Sequence, residues 1–176
     1  MSRLAAQAFV ELLLVALLYW FVRAYRDESF SSFIAWKFPF PGMRYCIFGG
    51  PFLALFVGSI ALLLGTPQIP NALDQLKSLS IPMPVIVAFA VVFGPIVEEI
   101  MFRGFLQRAI GLLASSAIFA LLHGAQNRWI WQYLAVMFLV SVVLGIARKK
   151  TGSTVASLLL HMGFNLTAVV GTLARG

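Results

Sequence analysis

The sequence predicts an all-α fold, a polytopic transmembrane helical bundle with about six spans. Of its 176 residues, 61% are hydrophobic and only 11% are charged, and the mean hydropathy is +0.94. Its hydrophobic runs approach the roughly 20 residues that cross a bilayer as a helix, and short basic and aromatic segments separate them. We therefore treat residues 1–176 as a single integral membrane domain, with any functional site built between helices.

The first two spans are predicted at about 4–22 and 45–65. The first run is longer than the apolar core of a signal peptide and precedes no clear small-residue cleavage site, so we interpret it as a retained helix. Glu11 lies within it, and we expect this side chain to face other helices or to reach the interface. Residues 23–44 predict a basic, aromatic connection at the membrane surface.

Four more spans are predicted at about 84–108, 111–124, 130–147 and 153–173, after a short interfacial helix at 71–79. Pro95 lies inside the third span. Because proline lacks a backbone N–H, it should kink this helix or start a new one just ahead of Glu98. Backbone groups freed within hydrocarbon need partners or water, so we expect a polar cavity there.

The basic residues predict the orientation of the chain. If residues 23–44 face the cytoplasm, six alternating spans place nine of the thirteen Lys and Arg residues on that side, and both termini lie outside. Membrane topology therefore explains the net charge of +7 better than nucleic-acid binding does. No organelle signal is evident, so we expect a bacterial inner membrane protein. A single cysteine, Cys46, excludes an intrachain disulfide.

Three charged residues interrupt the third span. A charge near the bilayer centre costs roughly 2.5–3.5 kcal/mol on insertion scales, so it needs a partner or a function. Glu99 and Arg103 are four residues apart and can pair on one helical face, whereas Glu98 points about 100° away. Glu98 is then the carboxylate without a partner. The alternative is that all three residues form one packing network.

Both histidines of the chain lie in predicted spans, each in an i,i+4 pair: Phe119 with His123, and His161 with Asn165. A buried histidine is most often a hydrogen-bonded core residue. However, Glu98, His123 and His161 come from three helices and lie about 12–18 Å from an end of their spans, at about 1.5 Å per residue. They can reach one layer of the membrane, as residues of bundle-core sites do.

The polar residues form three short motifs whose order and spacing resemble those of a known family. The motifs are Glu98-Glu99-x-x-x-Arg103, Phe119-x-x-x-His123 and His161-x-x-x-Asn165. The chain resembles the CAAX prenyl protease and bacteriocin-processing family, also called Abi proteins, over a motif-bearing core at about 84–170. The two spans at about 4–65 carry none of the motifs.

This resemblance implies a glutamate-dependent intramembrane endopeptidase. At the matching positions, Glu98 and His123 would activate a water molecule, and His161 and Asn165 would stabilise the oxyanion. Three further residues would support these four. Glu99 and Arg103 would hold Glu98 in place, and Phe119 is the third supporting residue. The implied substrate is a membrane-anchored protein or peptide, and we favour a bacterial sorting tail or a peptide precursor.

We expect no cofactor, with zinc as the alternative. Glu98, His123 and His161 make a two-His-one-Glu set of the kind found in catalytic zinc sites, and members of the resembled family have been labelled metalloproteases. The chain lacks the His-Glu-x-x-His helix, and an amide at Asn165 suits an oxyanion donor better than a zinc ligand.

Two other classes of function remain open. Intramembrane Glu, Arg and His also mark proton relays, which would suit a small proton-coupled transporter, although no inverted repeat is visible. A non-catalytic immunity or scaffold protein with the same fold is the other alternative. The expected partners are a membrane-anchored substrate and the lipid bilayer, without nucleic acid, and the oligomeric state is open.

Overall fold

The computed structural model describes residues 3–67, 81–126 and 128–174. Within these ranges the regular structure is helical throughout, which confirms the predicted polytopic helical bundle. The helices are α1 (Arg3–Tyr25), α2 (Phe30–Phe33), α3 (Met43–Leu63), α4 (Met83–Ile110), α5 (Leu112–Gln126), α6 (Trp131–Thr151) and α7 (Thr154–Leu173). The predicted interfacial helix at 71–79 lies outside the described residues.

Five of the described helices are long and apolar enough to cross a membrane, namely α1, α3, α4, α6 and α7. The fourth predicted span corresponds to α5, which has 15 residues. At about 1.5 Å per residue it is about 22 Å long, less than the roughly 30 Å thickness of the hydrocarbon core. The orientation of the chain and the location of its termini stay predictions.

Helix α7 lies in the interior of the bundle and α1 at its edge. The most extensive contacts between helices join α7 to α3 and α5 to α6. Inside the hydrophobic window of each span, 44% of the residues of α7 are buried but only 11% of those of α1. A Cβ atom added to Gly50 of α3 would lie 2.6 Å from the Cα of Gly163 in α7, so these helices need glycine to approach so closely.

Helix α1 is anchored through its second half. Leu18 and Val22 are buried in a cluster with Phe33, Ile34 and Ile100, which come from α2, its C-terminal end and α4. Most of the first half of α1 is exposed. This packing leaves space between the first half of α1 and the helices behind it.

Helix α4 contains two π-helical stretches, Phe89–Phe93 and Ile100–Leu106, on either side of the α-helical turns at Gly94–Glu99. Such stretches are frequent at functional sites. The helix is continuous across Pro95, and its α-helical turns Gly94–Glu99 begin at the residue before this proline. The kink expected from the sequence stays a prediction.

The backbone of α4 shows how the proline is accommodated. The N–H of Gly94 donates to the carbonyl of Phe89, five residues earlier. The next donor in this register would be residue 95, and Pro95 has no N–H to give to Ala90. Nδ2 of Asn165 in α7 donates to the Ala90 carbonyl instead, at 2.8 Å. The helix therefore continues because a neighbouring helix supplies the missing donor.

Candidate active site

Glu98 of α4, His123 of α5 and His161 of α7 face one another inside the bundle. Oε1 of Glu98 lies 3.8 Å from Nε2 of His123, and its Oε2 lies 3.7 Å from Nε2 of His161. Each carboxylate oxygen therefore faces a different imidazole. The structure thus brings together, from three separate helices, the three side chains on which the sequence-based interpretation depends.

The ring of His123 is oriented by Phe119. Nδ1 of His123 lies 2.9 Å from the backbone carbonyl of Phe119, and because a carbonyl can only accept a hydrogen bond, Nδ1 must carry a proton. The two rings also stack, with centroids 4.2 Å apart. In the neutral ring, Nε2 therefore has the lone pair, and this nitrogen faces Glu98.

Glu99 and Arg103 form the predicted i,i+4 ion pair, with Oε1 and Nη1 3.3 Å apart. The same Glu99 oxygen lies 2.9 Å from Nδ1 of His161. Glu98 points about 100° away from Glu99, to another side of α4, and interacts with Arg103 through charge attraction. That the pair holds Glu98 in place stays a prediction.

Arg103 is almost completely buried, and several groups compensate for its charge. Besides the Glu99 ion pair, Nη2 donates to the backbone carbonyl and to the hydroxyl of Ser141 in α6, at 3.2 and 3.1 Å. Its guanidinium carbon lies 4.9 Å from the centroid of the Phe119 ring. These contacts offset the cost of burying a charge and join α4, α5 and α6 directly behind His161 and His123.

The exposed fractions separate two kinds of residue. The side chains of Glu98 and His123 are 25% and 22% exposed, whereas those of His161, Glu99 and Arg103 are 5%, 0% and 1% exposed. The first two can meet a substrate or water. The other three are buried, and Glu99 contacts both Arg103 and His161.

Asn165 lies one helical turn after His161 on α7, and one of its two amide N–H groups is bonded to Ala90. Sequence reasoning assigned this residue to the oxyanion alone and missed its contact with α4. The signal that could have revealed it was Pro95, which frees a carbonyl inside a membrane span.

A cavity of about 310 Å³ opens beside Glu98 and His123, between α1, α4 and α5. Most of its lining is apolar. Its twelve lining residues are Gln7, Glu11, Leu14, Val97, Glu98, Met101, Phe102, Phe105, Leu106, Ile118, Leu122 and His123. The cavity expected next to Glu98 is therefore present, but its lining is mostly apolar, whereas a polar cavity was expected.

Helix α1 supplies three of these lining residues, Gln7, Glu11 and Leu14. Nε2 of Gln7 donates to Oε1 of Glu11 at 2.8 Å, and Glu11 interacts electrostatically with Glu98. Sequence reasoning gave α1 no part in the site. The available signal was Glu11 itself, a carboxylate in an otherwise apolar span.

A metal site needs several ligand side chains placed close together. In the part of the chain that the structure describes, no group of three or more His, Cys, Asp and Glu side chains is placed to hold a metal ion. The zinc alternative at Glu98, His123 and His161 therefore gains no support from the geometry, and no step below passes through a metal.

The fold and the site together define a class: an integral membrane helical bundle with a glutamate–histidine centre between its helices. A family model, Rce1-like type II CAAX prenyl endopeptidases, matches residues 80–167, half of the 176-residue chain. The chain belongs to this family, which implies a CAAX-type intramembrane protease. The match includes the three motifs and confirms the resemblance noted from them. No curated protein and no solved structure matches the chain.

Proposed function

We propose that this protein hydrolyses a peptide bond in a membrane-anchored protein or peptide, with Glu98 and His123 activating the attacking water. One observation carries the proposal: Glu98 lies between two imidazoles, at 3.8 and 3.7 Å, where an apolar cavity opens onto it. Family membership supports the reaction type. We infer the assignment of individual roles from the contacts.

The first step follows from the distances. Separations of 3.7–3.8 Å between nitrogen and oxygen exceed hydrogen-bond range, and a single water molecule can bridge them. Its oxygen attacks the carbonyl carbon while a proton passes to Glu98 or to Nε2 of His123. The C–N bond then breaks, and the leaving nitrogen takes up that proton, so the products are a carboxylic acid and an amine.

His161 and Asn165 are proposed to stabilise the oxyanion. Because Nδ1 of His161 donates to Glu99, its Nε2 can donate to an oxyanion only when both ring nitrogens are protonated. Asn165 keeps its second amide N–H for the same purpose.

The proposed substrate reaches the site from within the membrane. The apolar lining of the cavity suits an apolar substrate segment, and its polar lining residues Glu98 and His123 suit the peptide bond. We favour a sorting tail or a peptide precursor in a bacterial inner membrane. The proposed chemistry needs no zinc, so strong chelators should leave the rate unchanged.

Mass spectrometry of membrane proteomes from cells that carry wild type or Glu98→Gln identifies the cleaved protein. Cleavage of that protein by the two versions is then compared in proteoliposomes. Loss of the base should slow cleavage by about 10²–10⁴-fold without changing the unfolding temperature. The matched control is Asp27→Asn, since Asp27 is an exposed carboxylate outside the helices. Normal processing by a folded Glu98→Gln variant would refute the proposal.

A further inference from the structure

One end of the bundle carries a group of basic side chains. Helices α1, α4 and α6 all end there, and their last turns, with the residues just after α1, supply Arg26, Arg108, Arg148, Lys149 and Lys150. We call these five residues the basic patch. Two of these helices, α4 and α6, are joined by Nε2 of Gln107, which donates to the carbonyl of Gly145 at 3.0 Å.

Arg108 has partners in the structure. Its Nη2 donates to Oε1 of Glu28 at 2.8 Å, and its Nη1 donates to the carbonyl of Phe33 at 3.0 Å. Its guanidinium carbon also lies 4.5 Å from the Phe33 ring centroid, and that of Arg26 lies 5.9 Å from the same ring. The ring of Phe33 therefore lies against two guanidinium groups.

Arg148 is in a different situation. Among the described residues its Nε is buried with no hydrogen-bond partner, and Arg108 acts on it by charge repulsion. Gly145 precedes Arg148 by three residues and lies on the same face of α6. Gln107, which is hydrogen-bonded to Gly145, directly precedes Arg108 in α4. The Gln107–Gly145 bond therefore brings the side of α6 that carries Arg148 towards the end of α4 that carries Arg108. Two positive charges thus approach each other at the end of the spans.

Helix electrostatics explain only part of this arrangement. Cations in the last turn of a helix interact favourably with its dipole, which accounts for the exposed Lys149 and Lys150. The dipole does not account for a buried Nε donor without an acceptor, because such a donor costs about 1–3 kcal/mol. A bound anion would satisfy that donor and relieve the repulsion from Arg108.

We propose that Arg108 and Arg148, with Lys149 and Lys150 beside them, bind a phosphate group, as carried by the headgroup of an anionic phospholipid. Guanidinium groups match phosphate oxygens with paired hydrogen bonds. The patch lies where α4 and α6 end, the level at which lipid phosphates are found. This site is separate from the proposed active site and does not depend on it.

The test uses the full chain in an uncharged detergent, titrated with phosphatidylglycerol, phosphatidylcholine or inorganic phosphate. Bound lipid is counted by native mass spectrometry and stability is followed as Tm. Phosphatidylglycerol should bind saturably and raise Tm, and Arg148→Gln should weaken that binding at least about tenfold, the equivalent of ~1.4 kcal/mol. Arg128→Gln, which removes one charge between α5 and α6, should bind like wild type.

Further arms identify the source of the phosphate and guard against misfolding. Saturation by inorganic phosphate alone, lost in Arg148→Gln, would support a free anion over a lipid as the source. If Arg148→Gln does not fold, then Arg148→Lys and the double variant Lys149→Gln/Lys150→Gln replace it, each with an expected loss of about three- to tenfold. Equal binding of phosphatidylglycerol and phosphatidylcholine, or unchanged affinity in these variants, would overturn the proposal.

Discussion

Asn165 donates a hydrogen bond to the Ala90 carbonyl and is also proposed to stabilise the oxyanion, and replacing Pro95 separates these two roles. In Asn165→Ala the carbonyl of Ala90 loses its 2.8 Å donor and has no backbone N–H to replace it, because residue 95 is proline. An unsatisfied carbonyl inside a membrane span costs about 1–3 kcal/mol, so the variant should unfold more easily by that amount. In Pro95→Ala, residue 95 regains an N–H, and the further change of Asn165 should cost little.

The assay is a double-mutant cycle, with unfolding followed in mixed micelles and cleavage measured on the same four proteins. The expected coupling in stability is about 1–3 kcal/mol. If Asn165 also donates to the oxyanion, its removal lowers kcat by about 10²–10³-fold in both backgrounds, since the repaired backbone does not restore that donor. A stability coupling below about 0.5 kcal/mol would refute the proposed link between Asn165 and the proline.

Two further predictions concern the support behind the site. Glu99→Gln leaves the charge of buried Arg103 without its carboxylate and should cost about 3–5 kcal/mol in unfolding free energy. The control, Glu28→Gln in the partly exposed ion pair with Arg108, should cost at most about 1 kcal/mol. Similar losses in the two variants would contradict this prediction. Gly50→Ala puts a Cβ atom 2.6 Å from the backbone of α7 and should lower stability by about 1–3 kcal/mol. Gly58→Ala, with nothing within 4 Å, should be neutral or slightly stabilising, and equal unfolding temperatures would show that the close approach is unimportant.

The sequence was sufficient to predict the bundle because its signal is strong. Hydrocarbon forces the backbone into helices, so apolar runs and their interruptions locate the spans to within a few residues. Convergence at the site was also predictable in part. Glu98, His123 and His161 are expensive in lipid, and three such residues at comparable depth lower their cost by meeting one another.

The partners of each polar group were harder to predict, because they depend on how the helices are rotated and offset. The spacing of Glu99 and Arg103 fixes their mutual contact, but nothing in the sequence places His161 on the same carboxylate. In the same way Pro95 shows that a carbonyl is freed, while the choice of Asn165 as its donor depends on the register of α7 against α4.

The division of labour between adjacent glutamates follows from one helical step. A rotation of about 100° places Glu99 in the sealed interior, against Arg103 and His161, and places Glu98 at the cavity. Because a buried charge must be paired, Glu99 cannot leave its partners to act as a base, and because Glu98 faces the cavity, it can. The proposed base is therefore Glu98 and not Glu99, although the two side chains are chemically identical.

The cavity adds a second division, between the glutamate–histidine centre and the surface proposed to meet the substrate. All side chains of the glutamate–histidine centre come from residues 80–167, the stretch that the family model matches. The opposite wall comes from α1, through Gln7, Glu11 and Leu14, which lie outside that stretch. Since α1 is held mainly by its second half, the wall can change in sequence without disturbing the centre. Substrate preference is therefore expected to depend on α1, and bond cleavage on α4, α5 and α7.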